Sequence, residues 1–200
     1  MDRSEALAFV QPHLTKSRFE HTIRVTDTAI ELAKIFDASI EKAELAAVFH
    51  DYAKYRDKEE MRRWIEQEYL PKDLLMYHHE LWHGPVGALL VKREIGLGDP
   101  DILNAIRWHT TGTAHMTILD KVIYLADYIE PGRSFPGVEE VRELASEDLD
   151  AACFEAAKNT ISFLMSKNQP IYPDTFHAYN HFINVLVKKN WRQQNGKVGK

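Results

Sequence analysis

Cysteine is almost missing from this sequence: Cys153 is the only one in 200 residues. The chain can therefore form no disulfide within itself and no cysteine-based zinc site. A reduced, intracellular setting is the simplest interpretation, and we expect a cytoplasmic protein.

Three other features are absent. No uncharged apolar run approaches the roughly 18 residues of a membrane-spanning helix, and residues 1–5 lack the basic and apolar regions of a signal peptide. An excess of positive charge is also missing, since the formal net charge is −5. This net negative charge argues against a general nucleic-acid binder, although a few clustered basic side chains can still bind a small anion. We therefore expect neither a membrane nor a nucleic acid as a partner.

Alternating strand patterns are absent as well. Apolar residues instead recur at helical spacing, as Val25, Ala29, Leu32 and Ala33 do. A hydrophobic content of 44% suits one globular domain with a substantial core. The prediction is an all-α helical bundle, with a single domain over residues 1–190 and a C-terminal tail over residues 191–200.

Local signals predict where several helices begin and end. Ser17 is a candidate N-cap for the helix that carries His21. Residues 138–167 read as two helices, with Ser146 as a cap between them. The last helix is expected to be capped within a stiff loop and to reach about Lys189.

A histidine and an aspartate stand side by side at the end of an apolar stretch, at His50-Asp51. We expect both to lie on a helix, where neighbouring side chains diverge by roughly 100°, so both can serve one metal cluster only if it lies between them. Taken alone, a core histidine beside a surface aspartate is a slightly better interpretation. Lys54 would lie one turn after His50 on the same face, where it could reach a phosphate; a solvated lysine explains it equally well.

Four more candidate ligands occur along the chain: His21, His83, His109 and Asp127. Each histidine has an ordinary explanation, such as a polar helix face or a favourable helix C-terminus. Asp127, however, follows an apolar run, and a buried carboxylate must be paired or bind a metal. Imidazole and carboxylate together suit iron, manganese or zinc. Six ligands exceed what one catalytic ion needs, which favours two ions bridged by Asp51.

The order His, His-Asp, His, His, Asp resembles that of the HD-domain phosphohydrolases, which are all-helical. The flanking segments are similar more narrowly to the YqeK family of symmetrical bis(5′-nucleosyl)-tetraphosphatases, over roughly residues 4–185. The segments that carry the resemblance are Arg18 to Thr22, Phe49 to Lys54, Leu81 to Ala88, Arg107 to Gly112, Ala126 to Pro131, Asn168 to Pro170 and Pro173 to Thr175.

This resemblance implies a metal-dependent hydrolase that splits diadenosine tetraphosphate into two ADP, with GDP as the product of a guanosine substrate. It implies a tightly bound ion, iron ahead of manganese, zinc or cobalt, held by His21, His50, Asp51 and Asp127. His83 and His109 would then serve a second ion bridged by Asp51 or, with one ion, contact the phosphates directly. The catalytic residues that the resemblance suggests are Asp51, Lys54, His83, His109 and Arg133.

A tetraphosphate also needs cations and a slot for the base. Arg133 has a planar fork that suits phosphate, and Arg18 could act from the opposite side. Tyr172, in a stiff proline-flanked loop, is expected to be an exposed platform for a base; a tyrosine that pins the loop to the core is an equal alternative. The expected nucleotide-binding residues are Arg18, Phe19, Glu20, His21, Lys54, His83, His109, Asp127, Arg133, Pro170, Ile171, Tyr172, Pro173, Asp174 and Thr175.

Two other functions fit the same residues. One is an HD phosphohydrolase that acts on nucleoside monophosphates or guanosine tetraphosphate. The other is a nucleotide-sensing module without turnover, which ranks lower because no ligand is missing. The number of ions, the base preference and assembly into a homodimer stay open at this point.

Overall fold

Helix caps and apolar stripes divide the chain into ten α-helices within residues 1–195, the part that this computed structural model describes. No strand occurs within that range, which confirms the expected all-α class. The helices are α1 (Arg3–Val10), α2 (Lys16–Ile35), α3 (Ile40–Phe49), α4 (Lys58–Gln67), α5 (His83–Leu90), α6 (Pro100–Trp108), α7 (Ile118–Ile129), α8 (Val138–Ala145), α9 (Leu149–Ser166) and α10 (Pro173–Asn195). Shorter turns of 3-10 helix occupy Gln11–His13, Lys72–Met76 and His79–Leu81, and a π-helical turn, Val91–Ile95, follows α5.

The centre of the fold is the packing of α2 and α7 against each other and against α3. α7 is buried along most of its length, from Leu119 to Ala126, and α2 presents Val25, Ala29 and Ala33 to the core. α6 packs on α3, α5 and α7, while α8 and α9 cover the other side of α7. None of the described helices combines the length and the apolar character needed to cross a bilayer.

One predicted N-cap is wrong by two residues, whereas Ser146 is the C-cap of α8 and so lies between two helices as predicted. The N-cap of α2 is Thr15, whose hydroxyl accepts from the Arg18 backbone at 3.3 Å, so Ser17 lies inside the first turn. The N-cap of α9 is Asp148, whose carboxylate accepts two backbone N–H groups, while Ser146 ends α8. An aspartate is preferred there because its charge also favours the helix dipole.

The last helix is longer than predicted. It begins at Pro173, so Asp174 and Thr175 lie in its first turn rather than at a cap, and it continues past Lys189 to Asn195. Proline is well suited to a first helical turn, where its missing N–H costs nothing. The predicted tail over residues 191–200 is thus helical in its first half, and residues 196–200 lie outside the described residues.

Candidate metal centre

The helix that leads to His50 ends earlier than predicted. α3 stops at Phe49, His50 is its C-cap and Asp51 lies in the turn that follows. The expectation that both residues share a helix, with diverging side chains, is therefore wrong. Because the chain leaves the helix here, the two side chains turn into the same space, with His50 Nε2 at 3.2 Å from Asp51 Oδ2.

Two more helices bring ligands to this side of Asp51. His21, from α2, has its Nε2 at 3.0 Å from Asp127 Oδ1 and at 3.8 Å from Asp51 Oδ2. His50 Nε2 lies 4.0 Å from the same oxygen of Asp127, which is contributed by α7. These four residues surround one small volume, and His21, His50 and Asp127 have the mutual spacing of a metal-binding group.

The other oxygen of Asp51 faces a second pair of histidines. Asp51 Oδ1 lies 3.2 Å from His83 Nε2, at the start of α5, and 4.0 Å from His109 Nε2, at the end of α6. The two Nε2 atoms are 3.0 Å apart. The structure thus brings all six predicted ligands together, with the two oxygens of Asp51 directed at different halves of the cluster.

The histidine tautomers show that this cluster fits a cation. Each of the four rings places its Nδ1 against an oxygen, which accepts a hydrogen bond from it. The acceptors are the Glu130 carboxylate for His21 and the backbone carbonyls of Ala47, Glu80 and Ile106 for His50, His83 and His109. Since these oxygens fix the proton on Nδ1, the Nε2 lone pairs point into the centre. Nε2 of His21 and of His50 is buried without a hydrogen-bond partner, so lone pairs and carboxylates converge there, as metal ligands do.

The electrostatics agree with ionised carboxylates and with a neutral imidazole at His109, whereas at His50 burial is outweighed by Asp51, which raises the pKa of that imidazole. Burial, together with the neighbouring His83 and His50, lowers the pKa of His109 to about 3. Burial alone would raise the pKa of Asp51, but His50 and His83 outweigh it and hold that pKa well below its usual range. Nitrogen and oxygen donors in these states suit zinc, iron, manganese or cobalt.

Glu130 is a part of the site that the sequence did not reveal. Its side chain is 2% exposed and accepts hydrogen bonds from His21 Nδ1 at 3.0 Å, Arg24 Nε at 2.5 Å and the Gly132 backbone at 2.6 Å. It therefore sets the orientation and tautomer of His21. The available signal was an acid directly before Pro131-Gly132 and three residues after Asp127.

Both predicted arginines lie at the carboxylates. Arg18 Nη1 is 3.0 Å from Asp51 Oδ2, and Arg133 binds Asp127 twice, through Nη2 to Oδ1 at 2.5 Å and through Nε to the backbone oxygen at 2.9 Å. Lys54 lies in the turn after α3, so its predicted position on a helix is wrong. Its Nζ is 2.6 Å from Glu80 Oε2, at the residue whose carbonyl orients His83.

The loop at residues 170–175 differs from the expectation in one respect. Tyr172 is only 5% exposed; its ring meets Tyr77 edge-on at 5.0 Å, and its hydroxyl lies 3.5 Å from Asp73 Oδ1. An exposed stacking platform is therefore wrong, and the alternative of a tyrosine that pins the loop matches the structure. Of the remaining predicted contacts, Phe19 packs partly buried against the core and Glu20 is exposed on α2.

Thr110 is a second residue of the site that the sequence did not reveal. Its hydroxyl lies 3.0 Å from His109 Nε2 and 3.4 Å from His83 Nε2. The only sequence signal for it was its position directly after His109.

The approach of His83 to His109 depends on Gly84. A Cβ at this position would lie 2.7 Å from the Arg107 backbone oxygen, so any side chain forces α5 away from α6. We expect Gly84→Ala to lower the free energy of unfolding by about 1–3 kcal/mol and to lower activity, because the two histidines separate. Thermal denaturation and steady-state kinetics measure both effects.

Gly87→Ala is the matched control on the same helix. A Cβ there would meet the Ala53 side chain at 3.6 Å, which is an ordinary contact. This variant should keep its activity and lose no stability, since alanine is the better helix former. Equal behaviour of the two variants would contradict the role given to Gly84.

Comparison with known proteins agrees with this geometry. The family model for the HD domain matches residues 18–132. A protein of Bacillus subtilis (strain 168), named symmetrical bis(5′-nucleosyl)-tetraphosphatase, is 58% identical over 183 residues, which cover 92% of this chain and 98% of that protein. A protein of the same name from Staphylococcus aureus (strain NCTC 8325 / PS 47) is 41% identical, with 91% and 95% covered.

A solved structure shows the same fold. It is described as a predicted HD superfamily hydrolase involved in NAD metabolism from Clostridium acetobutylicum. It superposes with a TM-score of 0.86 at 38% sequence identity and covers 92% of this chain and 98% of its own. With its six ligands in one cluster and relatives matched over almost their whole length, the chain belongs to the HD-domain family and, within it, to the symmetrical bis(5′-nucleosyl)-tetraphosphatases.

Proposed function

We propose that this protein hydrolyses dinucleoside tetraphosphates symmetrically, with two ADP as the products of diadenosine tetraphosphate. The observation that carries the proposal is the position of Asp51, whose two oxygens face two separate histidine pairs at 3.2–4.0 Å. A donor set of this kind at the middle of a symmetric substrate suits attack on the central phosphates.

The metal would be held by His21, His50, Asp51 and Asp127, with His83 and His109 serving a second ion. A bound metal supplies Lewis acidity toward phosphoryl oxygens and lowers the pKa of water. The two oxygens of Asp51 face different pairs of histidines, which supports two ions over one. Iron is proposed because the resemblance to the YqeK family implies it; the nitrogen and oxygen donors suit manganese, zinc or cobalt as well.

Arg18 and Arg133 are proposed to bind the phosphates. In this structure each guanidinium is paired with a ligand carboxylate, Asp51 or Asp127. With Asp51 and Asp127 serving as metal ligands, the two guanidinium groups would be free to bind phosphoryl oxygens, for which their bidentate geometry is suited. Lys54, held at the rim by Glu80, supplies a third positive charge.

The leaving group needs little help from an acid. ADP departs as a phosphate anion that is stable near neutral pH. The residues of the site have only to orient the polyphosphate of the substrate and stabilise its negative charge. His109, kept neutral by its low pKa, is suited to act as a ligand and unsuited to donate a proton.

Product analysis tests the proposal. Diadenosine tetraphosphate incubated with metal-loaded protein should give ADP alone, resolved by anion-exchange chromatography. ATP together with AMP would contradict symmetric cleavage. The panel should include nucleoside monophosphates, guanosine tetraphosphate and NAD, the last because the Clostridium acetobutylicum structure is described by NAD metabolism; a faster reaction with any of them would replace the proposed substrate.

Two further expectations stay predictions from the sequence. One is action in the cytoplasm, and the other is assembly into a homodimer. Fractionation of cells and light scattering of the purified protein, respectively, measure them.

A further inference from the structure

An exposed aromatic ring lies at the edge of the metal centre. Tyr55 directly follows Lys54 in the turn after α3 and is 53% exposed. Its hydroxyl accepts a hydrogen bond from the hydroxyl of Thr15, at the start of α2, at 3.4 Å. The ring belongs neither to the ligand set nor to the buried core.

Arg18 connects Tyr55 to the ligands. The Arg18 guanidinium is 3.0 Å from Asp51 Oδ2. The hydrogen bond from Thr15, followed by the guanidinium of Arg18, lowers the pKa of the Tyr55 hydroxyl against the opposing effect of burial. Arg18 is therefore in reach of both the tyrosine and the carboxylate. Exposed large side chains occur elsewhere on this surface, but this contact places the Tyr55 ring one side chain away from the metal centre.

The turn that carries Tyr55 is held in place. Arg56, the next residue, is paired with Glu94 at 2.5 Å, and the backbone N–H of Lys54 donates to the backbone oxygen of Asp51 at 2.9 Å. The same turn thus fixes a metal ligand and the aromatic ring. A molecule bound at the ligands would meet a preorganised surface there.

The segment at residues 170–175 borders the other half of the cluster. It leads into α10, where Ala178, in the second turn, packs against the loop that follows His109. Asp51 directs Oδ1 toward His109 and Oδ2 toward Arg18. The segment and the tyrosine ring therefore lie at different halves of the centre.

A symmetric substrate needs a position for a base on each half. A dinucleoside tetraphosphate with its central phosphates at the metals extends one nucleoside in each of two directions, and the sequence predicts only one of these positions, at residues 170–175. Aromatic rings stack on any base because each base has a π-face. Given the proposed function, on which this step rests, we infer that the ring of Tyr55 stacks on the base of the second nucleoside, beside phosphates bound by Arg18.

The test separates the contact with the base from the contacts with the phosphates. The KM for diadenosine tetraphosphate is measured for the wild type, Tyr55→Ala, Tyr55→Leu and Tyr55→Phe, together with the Ki of adenosine 5′-tetraphosphate as a competitor. The competitor has the same four phosphates but a single base, so it can bind with its free end at position 55. The alanine and leucine variants should raise KM about fivefold or more relative to Ki. Tyr55→Phe, which keeps a stacking ring, should retain the wild-type ratio.

Two variants control for the fold and for exposure. Tyr55→Leu fills most of the space of the ring, so it decides the question if Tyr55→Ala does not fold. Phe163→Ala is the matched surface variant, because Phe163 is 58% exposed on α9, which packs mainly on α7, α8 and α10. Its ratio of KM to Ki should equal that of the wild type.

Several results would overturn the inference. An unchanged ratio in Tyr55→Leu would exclude the contact with the base, and a change of the same size in Phe163→Ala would make the effect non-specific. Equal rises of KM and Ki, or a Tyr55→Phe variant as impaired as Tyr55→Ala, would instead make the hydroxyl a support for Arg18. A wild type that does not cleave diadenosine tetraphosphate at all refutes the proposed function, so that failure is distinct from the others.

Discussion

Asp51→Asn should leave a folded protein that retains almost no metal and almost no activity. Asparagine has the same shape, but its neutral amide places an oxygen toward one histidine pair and an NH2 group toward the other. The NH2 group can donate to an Nε2 lone pair, which satisfies the cluster without an ion. We expect activity to fall by roughly a thousandfold or more, because losing the metal removes several kcal/mol of transition-state stabilisation.

Activity could be lost with the metal or with the fold. Metal analysis and circular dichroism on the same preparation distinguish these two causes. Asp57→Asn is the control: Asp57 is the N-cap of α4, and asparagine is an equally good cap. Asp51→Asn protein with full metal content and wild-type turnover would refute the assignment of the centre. Asp51→Ala should lose metal and activity in the same way, but it leaves a cavity.

Glu130→Gln should have the second largest effect, although Glu130 binds no metal directly. The amide keeps one oxygen for His21 Nδ1, but its NH2 group then faces Arg24 or the Gly132 N–H, which are donors themselves. A buried donor is left without an acceptor, at a cost of about 1–3 kcal/mol. Since His21 loses its orientation, metal affinity should fall about 10- to 100-fold, measured by titration with a competing chelator.

Glu155→Gln is the matched control for this prediction. Glu155 is also buried and also bound to a cation, Lys158, at 2.8 Å. That variant should lose some stability and keep its metal affinity. A loss of affinity of the same size in both variants would mean that Glu130 acts through general stability alone.

Glu130 should also make the stability of the folded protein depend on pH. Burial would raise the pKa of Glu130, but Arg24 and His21 outweigh it and lower that pKa from 4.5 to about 2. The stabilisation is therefore complete above pH 4.5 and is lost as the pH falls toward 2. In metal-free protein, acid unfolding of Glu130→Gln should lack this contribution, so the difference in stability from the wild type should shrink over that interval.

The six ligands were predictable from sequence because each has a recognisable neighbourhood and because their order resembles a known family. Their tautomers were not predictable, since they depend on backbone carbonyls at helix ends. Glu130 was missed because its partner Arg24 is 106 residues away in the chain, and no local pattern reports such a pair. The choice between the two interpretations of Tyr172 could not be made from sequence for the same reason: its burial arises from Tyr77 and Asp73, far back in the sequence.

The end of α3 was the most informative error. Apolar periodicity continues up to His50, so nothing in the pattern signals that the helix stops at Phe49. The early stop allows Asp51 to turn beside His50 and present one oxygen to each half of the cluster.

The spread of the ligands along the chain has a consequence for how the protein is made. The donors come from positions 21 to 127, so a chain that grows from its N-terminus cannot complete the set until Asp127 has been synthesised and α7 has packed on α2. An ion captured before that point would meet only part of its ligands. Because the assembled state offers the complete set of ligands, a bound metal would stabilise it over the unfolded chain by mass action. We therefore expect the supply of metal to affect the abundance of the protein as well as its rate of turnover.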